Sequence, residues 1–170
     1  MEKISLGSGV FLIENLLSKE ECEKYIEQSE SMGYEDAAIQ TKDGPRIYKD
    51  VRNNARVIFD DVDLAAFIFD RVRVFLPDVF CDEWKLLGLN ERFRFYRYSP
   101  GEYFKWHKDG FYYRNDDEVS QLTLIMYLND DYSGGATEFP WEVVKPKIGR
   151  ALVFPHLRMH QGGTLASGTK

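Results

Sequence analysis

The 170-residue sequence predicts an α+β fold with a mainly β core, in which N-terminal helices pack on an antiparallel sheet. Two observations carry this. Helix signals gather before residue 90, and from about residue 92 the apolar pattern shifts to short, closely spaced strands of the kind found in small jelly rolls and barrels. A third observation sets the domain count. No internal repeat, low-complexity segment or linker interrupts the chain, so residues 1–170 read as one domain, with helical support over about 1–90 and a β core over about 91–170.

Each element has a local reason. Val10-Phe-Leu-Ile13 is an apolar run of strand length. Ser18-Lys-Glu-Glu21 is a capping box, so a helix is expected to run to about Met32, with Gly33 ending it. The polar stretch Thr41–Asp50 contains Gly44-Pro45 and reads as a loop. Leu64, Phe67, Ile68, Val72, Phe75 and Leu76 recur at helical spacing, predicting a second helix over about 62–75 that Pro77 stops. Strands are expected at Arg92–Tyr98, Gln121–Leu128, Ala136–Phe139 and Ala151–Phe154, the last bounded by Gly149 and Pro155.

Composition narrows the function classes. Twenty-two basic against 28 acidic residues give a formal charge of −6. That balance argues against nucleic acid or an anionic membrane as the main partner, while leaving room for a local basic patch. Cys22 and Cys81 are too few for a disulfide framework and are expected to stay reduced. The N-terminus lacks a signal-peptide layout and no apolar run has membrane-spanning length, so a soluble, cytoplasmic protein is expected.

The chemistry lies in three residues. In an extended segment His107 and Asp109 point the same way and can reach one ion. Imidazole with a carboxylate suits iron, zinc or copper, and two imidazoles with one carboxylate leave half of a six-coordinate ion open. By itself His-x-Asp is a frequent chance tripeptide, and a surface histidine beside a solvated aspartate is the simpler reading. The third ligand is His156 or His160. His160 is favoured because Lys170 follows ten residues later across Gly162, Gly163 and Gly168, where its ammonium can meet a small dicarboxylate. His156 then serves as a hydrogen-bonding or packing neighbour.

As a set these residues carry a resemblance. Phe95–Gly110, Leu122–Asn129 with Gly134–Phe139, and Gly149–Phe154 with His160 and Gly168–Lys170 resemble, in order, the motifs of prolyl 4-hydroxylase-type 2-oxoglutarate, Fe(II)-dependent dioxygenases. The resemblance implies a double-stranded β-helix, a cupin-like jelly roll. It implies Fe(II) on His107, Asp109 and His160, with Lys170 pairing the far carboxylate of 2-oxoglutarate and Tyr98 and Tyr127 hydrogen-bonding that cosubstrate. Family members continue past the lysine with a further strand, so a lysine at position 170 with nothing after it is expected to be poorly anchored.

The implied reaction is O2-dependent hydroxylation of an unactivated C–H with release of succinate and CO2, ascorbate being a further cofactor the family brings into view. Asp109 favours hydroxylation over halogenation, because related halogenases replace this carboxylate. The implied substrate is a prolyl residue of a peptide or protein, or an amino acid. Arg56, Trp106 and Arg114 are candidate substrate contacts, weighed against a solvated loop and a solvated charge cluster. Competing readings are a zinc hydrolase on a cupin-like barrel and a non-catalytic peptide-binding module. The oligomeric state is left open.

Overall fold

A computed structural model describes residues 1–170, the side chain of Gln40 apart. In chain order the elements are β1 (Glu2–Gly7), β2 (Val10–Glu14), α1 (Lys19–Met32), β3 (Glu35–Asp36), β4 (Ile39–Thr41), β5 (Gly44–Arg46), β6 (Ala55–Asp60) and α2 (Val62–Val72). A single 3-10 turn, Arg73–Phe75, extends α2. Then follow β7 (Val79–Phe80), β8 (Trp84–Lys85), β9 (Arg92–Arg97), β10 (Phe104–His107), β11 (Leu122–Met126), β12 (Ser133–Gly134), β13 (Thr137–Phe139), β14 (Glu142–Val144), β15 (Ala151–Pro155), β16 (His160–Gly162) and β17 (Leu165–Ser167).

Two antiparallel four-stranded sheets, ordered β1-β2-β15-β11 and β10-β16-β13-β14, share a core. Val10 and Leu12 of β2 and Leu152 and Phe154 of β15 meet Phe139 and Val144 of the second sheet. On the other face Phe11, Ile13, Ala151 and Val153 pack with Cys22 of α1 and Ile68 and Val72 of α2. This explains why Val10–Ile13 and Ala151–Phe154 are continuous apolar runs, because both of their faces are covered. The mainly β architecture, two facing sheets and few helices, is that of a jelly roll.

Helix α1 starts as expected. Ser18 Oγ accepts from the Glu21 N–H at 3.2 Å and Glu21 Oε2 accepts from the Ser18 N–H at 2.8 Å. Glu21 also receives both terminal nitrogens of Arg71 at 2.7 and 2.8 Å, which ties α2 to the start of α1. Glu14, at the end of β2, accepts from Lys147 and Arg150 and so pins the segment before β15. Gly149 is required at the turn between them. It has φ +75°, and a Cβ there would lie 2.2 Å from the Leu17 carbonyl oxygen.

The first half is less helical than expected, with eight strands beside its two helices. Thr41–Asp50, read as a loop, instead begins with a hairpin of β4 and β5 that turns at Lys42-Asp43, with Gly44 at φ +101° opening β5. Ala55–Asp60 pairs along its whole length with β9, a contact across more than thirty residues that a local pattern does not register. Cys22 is buried and Cys81 exposed, both unpaired. Among the described residues no helix is long and apolar enough to cross a membrane.

Ile68 is fully buried between α2 and the sheet. Ile68→Ala should lower unfolding free energy by about 2–5 kcal/mol in urea titrations, against less than about 0.5 kcal/mol for the half-exposed Ile58→Ala.

Candidate metal centre

Antiparallel pairing of β10 with β16 sets His107 directly opposite His160. Their ring centroids lie 4.2 Å apart. Asp109 follows just past β10, held by its N–H to the His156 carbonyl at 2.9 Å. Its Oδ1 lies 3.6 Å from His107 Nε2 and 3.9 Å from His160 Nε2. One ligand atom from each of the three residues falls within 4.8 Å of the others.

The ring orientations are determined locally. His107 Nδ1 contacts the Lys105 carbonyl at 2.7 Å, and His160 Nδ1 contacts that of Arg158 at 2.9 Å. A carbonyl only accepts, so both Nδ1 atoms carry the proton and both Nε2 lone pairs are free to bind a cation. Burial raises the Asp109 carboxyl, but hydrogen bonding to His107 and Thr123 and the charge of His160 hold it at about 2. Burial lowers His160, with Asp109 opposing. Neutral imidazole beside an ionised carboxylate is the protonation state a metal requires.

His156 stands outside this cluster, one hydrogen bond removed. Thr123 Oγ1 donates to Asp109 Oδ2 at 2.6 Å and accepts from His156 Nδ1 at 2.8 Å, and His156 Nε2 contacts Ser120 Oγ at 2.8 Å. The hydroxyl proton goes to the carboxylate, so His156 must donate to Thr123. Thr123 reads in the sequence only as a strand residue, and nothing local marks this role.

Lys170 is well anchored, contrary to expectation. Its N–H donates to the Tyr98 carbonyl at 3.1 Å and its carbonyl accepts from the Tyr98 N–H at 2.8 Å. Its Nζ donates to the Gly135 carbonyl at 2.7 Å and lies 4.9 Å from the Tyr98 ring centroid. Burial lowers the ammonium to about 8. Tyr98 and Tyr127 are both buried, and Tyr98 packs against Lys170. The Tyr127 hydroxyl donates to Thr137 Oγ1 at 2.8 Å, and burial pushes this phenol up to about 12, with Thr137 opposing.

Two buried side-chain atoms lack a hydrogen-bond partner among the described residues, Arg52 Nη2 and Tyr132 Oη. The Tyr132 ring and the Lys170 stem converge on Gly135, lying 3.5 and 3.3 Å from where its Cβ would be. The Tyr132 phenol is raised by burial, with Tyr127 and Tyr98 adding to the effect. Neither Arg52 nor Tyr132 has a motif in the sequence, because their significance lies in an absent partner.

The expected substrate contacts divide. Arg56 is half-buried on β6, opposite Tyr96. Trp106 is 45% exposed and, next to His107 on a strand, points to the opposite face. Arg114 is engaged by Glu91 and Glu118.

A divalent ion fits the donor set of two nitrogens and one ionised oxygen, and an anionic cosubstrate fits the desolvated Lys170 ammonium. Residues 93–170 match the family described as the 2OG-Fe(II) oxygenase superfamily. Prolyl 4-hydroxylase 1 of Arabidopsis thaliana is 27% identical over 148 residues, 82% of this chain and 49% of that protein. The chain therefore spans about half the length of the plant relative. An Acanthamoeba polyphaga mimivirus protein, provisionally assigned as a prolyl 4-hydroxylase, is 25% identical over 184 residues, covering 94% and 70%. A viral collagen prolyl hydroxylase from Paramecium Bursaria Chlorella virus-1, solved as its 2OG complex, superposes with TM-score 0.67 at 24% identity over 96% of this chain and 92% of that one. A Pseudomonas putida prolyl-4-hydroxylase superposes with TM-score 0.63 at 18% identity, covering 95% and 88%. At these identities the superpositions establish the fold.

The depressed Asp109 carboxyl has a stability consequence. Its contribution is present above the unfolded pKa of about 4 and is lost as pH falls through the folded value of about 2. In metal-free protein, Asp109→Asn should lower Tm near pH 6, and the gap to wild type should close between pH about 4 and 2. A gap independent of pH would mean that the carboxylate is not held by His107 and His160.

Proposed function

We propose that this chain, a 2OG-Fe(II) oxygenase in its second half, works as a single-domain hydroxylase that binds Fe(II) through His107, Asp109 and His160. The observation that carries the reading is that the triad occurs together with a desolvated lysine, Lys170, packed on the buried Tyr98, whose hydroxyl reaches Gly162 on the strand that carries His160. The dioxygenase family uses Fe(II), 2-oxoglutarate and O2. Bound iron with 2-oxoglutarate supplies the oxidant for an unactivated C–H, with succinate and CO2 as coproducts.

The chain's own residues bind and orient. Lys170 is placed to pair the far carboxylate of 2-oxoglutarate, with the orphaned Tyr132 hydroxyl a second donor at that end. Tyr98 and Tyr127 line the space between. Thr123 holds Asp109 in one rotamer, and His156 holds Thr123. The apolar contacts of Phe104 on His107 at 3.6 Å and of Phe154 on His160 at 4.6 Å exclude water from the ligand rings. The relatives named as prolyl 4-hydroxylases support a prolyl residue of a peptide or protein, or an amino acid of similar shape, as the substrate. Ascorbate would act as an accessory reductant.

Anaerobic addition of Fe(II) and 2-oxoglutarate should give a weak visible charge-transfer band. It should vanish in His107→Ala and His160→Ala, persist in His156→Ala, and not form with zinc. No band and no succinate from the wild type would overturn the reading. Lys170 is protonated, and able to bind the carboxylate, below about pH 8. Affinity for 2-oxoglutarate should therefore be constant below that pH and weaken by up to about tenfold per unit above it. Lys170→Arg should remove that dependence, because a guanidinium stays charged.

A further inference from the structure

We infer that the substrate is anionic, and that Arg52, Arg56 and Arg94 form a face beside the metal centre that holds a carboxylate close to the carbon to be hydroxylated. The inference rests on the hydroxylase reading above and specifies its substrate.

The three arginines share one side of the β6–β9 pair. Arg56 sits opposite Tyr96 and Ile58 opposite Arg94, so Arg94 is the diagonal neighbour of Arg56 on the same face. Tyr98 continues that face, and its hydroxyl lies 3.5 Å from where a Cβ on Gly162 would be, on the strand that carries His160. Arg52 lies across the same rings, its guanidinium 4.7 Å from the Tyr96 centroid and 4.0 Å from that of Phe104. Phe104 in turn stacks on His107 at 3.6 Å. At the other end, the charge of Arg94 reaches His156, which touches Asp109 through Thr123. The face therefore grades from exposed Arg94 through half-buried Arg56 to Arg52, which is 4% exposed.

None of the three has a carboxylate partner among the described residues. Neighbouring arginines do, since Arg92 is paired with Asp60, Arg97 with Glu30 and Arg114 with Glu91. Acids are not scarce in a chain with 28 of them. Burial lowers Arg56, and the charges of Arg52 and Arg94 lower it further, whereas only the Tyr96 phenol opposes. Arg52 Nε donates to Asn54 Oδ1 at 3.0 Å, but its Nη2 has no acceptor. A buried, partly unsatisfied guanidinium among like charges is costly unless an anion completes it. A carboxylate matches the guanidinium fork in shape and charge. Tyr96, 40% exposed on the same face, offers an aromatic surface for the chain that carries the carboxylate.

The test uses full-length protein loaded with Mn(II) and N-oxalylglycine, an unreactive analogue of 2-oxoglutarate. Fluorescence anisotropy reads binding of proline-containing peptides whose flanking residues are acidic, neutral or basic, and free glutamate and a short oligonucleotide serve as competitors. The acidic peptide should bind about tenfold or more tighter than the neutral one, and the advantage should shrink with added salt. Arg56→Gln and Arg94→Gln should each cut the acidic-to-neutral ratio several-fold, and Arg56→Glu should reverse it. Arg97→Gln, on the same strand but on its opposite face and paired with Glu30, should leave the ratio unchanged. Competition by glutamate alone would place the carboxylate on a small amino acid, still an anionic substrate. Equal binding of all three peptides, an unchanged ratio in Arg56→Gln and Arg94→Gln, or tighter binding of the oligonucleotide would overturn the inference. The charge-transfer band of the wild type separates the outcomes. If the band is absent the hydroxylase reading fails, and if it is present without charge preference only the anionic substrate fails.

Discussion

The antiparallel pairing of β10 with β16 is the constraint on which the site depends. It places His107 and His160 side by side, and every other feature of the centre is arranged around that register. A slip of one residue would turn one imidazole to the opposite face of the sheet. What holds the register is hydrophobic. Phe104 stacks on His107, Phe154 meets His160 edge-on, and Phe154 belongs to the core shared by the two sheets. The metal-binding geometry is thus maintained by the same burial that closes the jelly roll.

Around the two rings the structure controls protonation with few groups. Backbone carbonyls take both Nδ1 protons, and Thr123 gives its proton to Asp109. The result is a carboxylate ionised far below neutral pH beside two imidazoles whose Nε2 atoms face it. At the other end burial leaves Lys170 an ammonium of unusually low basicity, and the Tyr132 ring, whose hydroxyl has no partner among the described residues, converges with the Lys170 stem on Gly135. Both ends are costly without partners, and under the proposed function a cation at one and a dicarboxylate at the other would relieve those costs.

The arginine face has the same logic. Guanidiniums elsewhere on β9 and nearby are neutralised by carboxylates, whereas the three beside the centre are left open. Leaving charges unpaired at a binding surface favours partners of opposite sign and disfavours others. A protein with net charge −6 repels an acidic partner at long range, so under the inference above the local cationic face would supply the attraction.

By itself the sequence determined what depends on neighbours along the chain. The Ser18–Glu21 capping box, the α2 periodicity, the apolar runs of β2 and β15, and the spacing of His107, Asp109, His160 and Lys170 were all legible, because caps, periods and motifs are local. Tertiary structure decided what depends on partners far away. Strand β6 exists because it finds β9, and Lys170 is anchored because its backbone pairs with Tyr98. Thr123 matters because Asp109 and His156 meet it, and Arg52 and Tyr132 because Nη2 of one and Oη of the other have no hydrogen-bond partner among the described residues. Whether a buried polar group is satisfied is a property of the packed molecule, since only packing removes the water that would otherwise satisfy it.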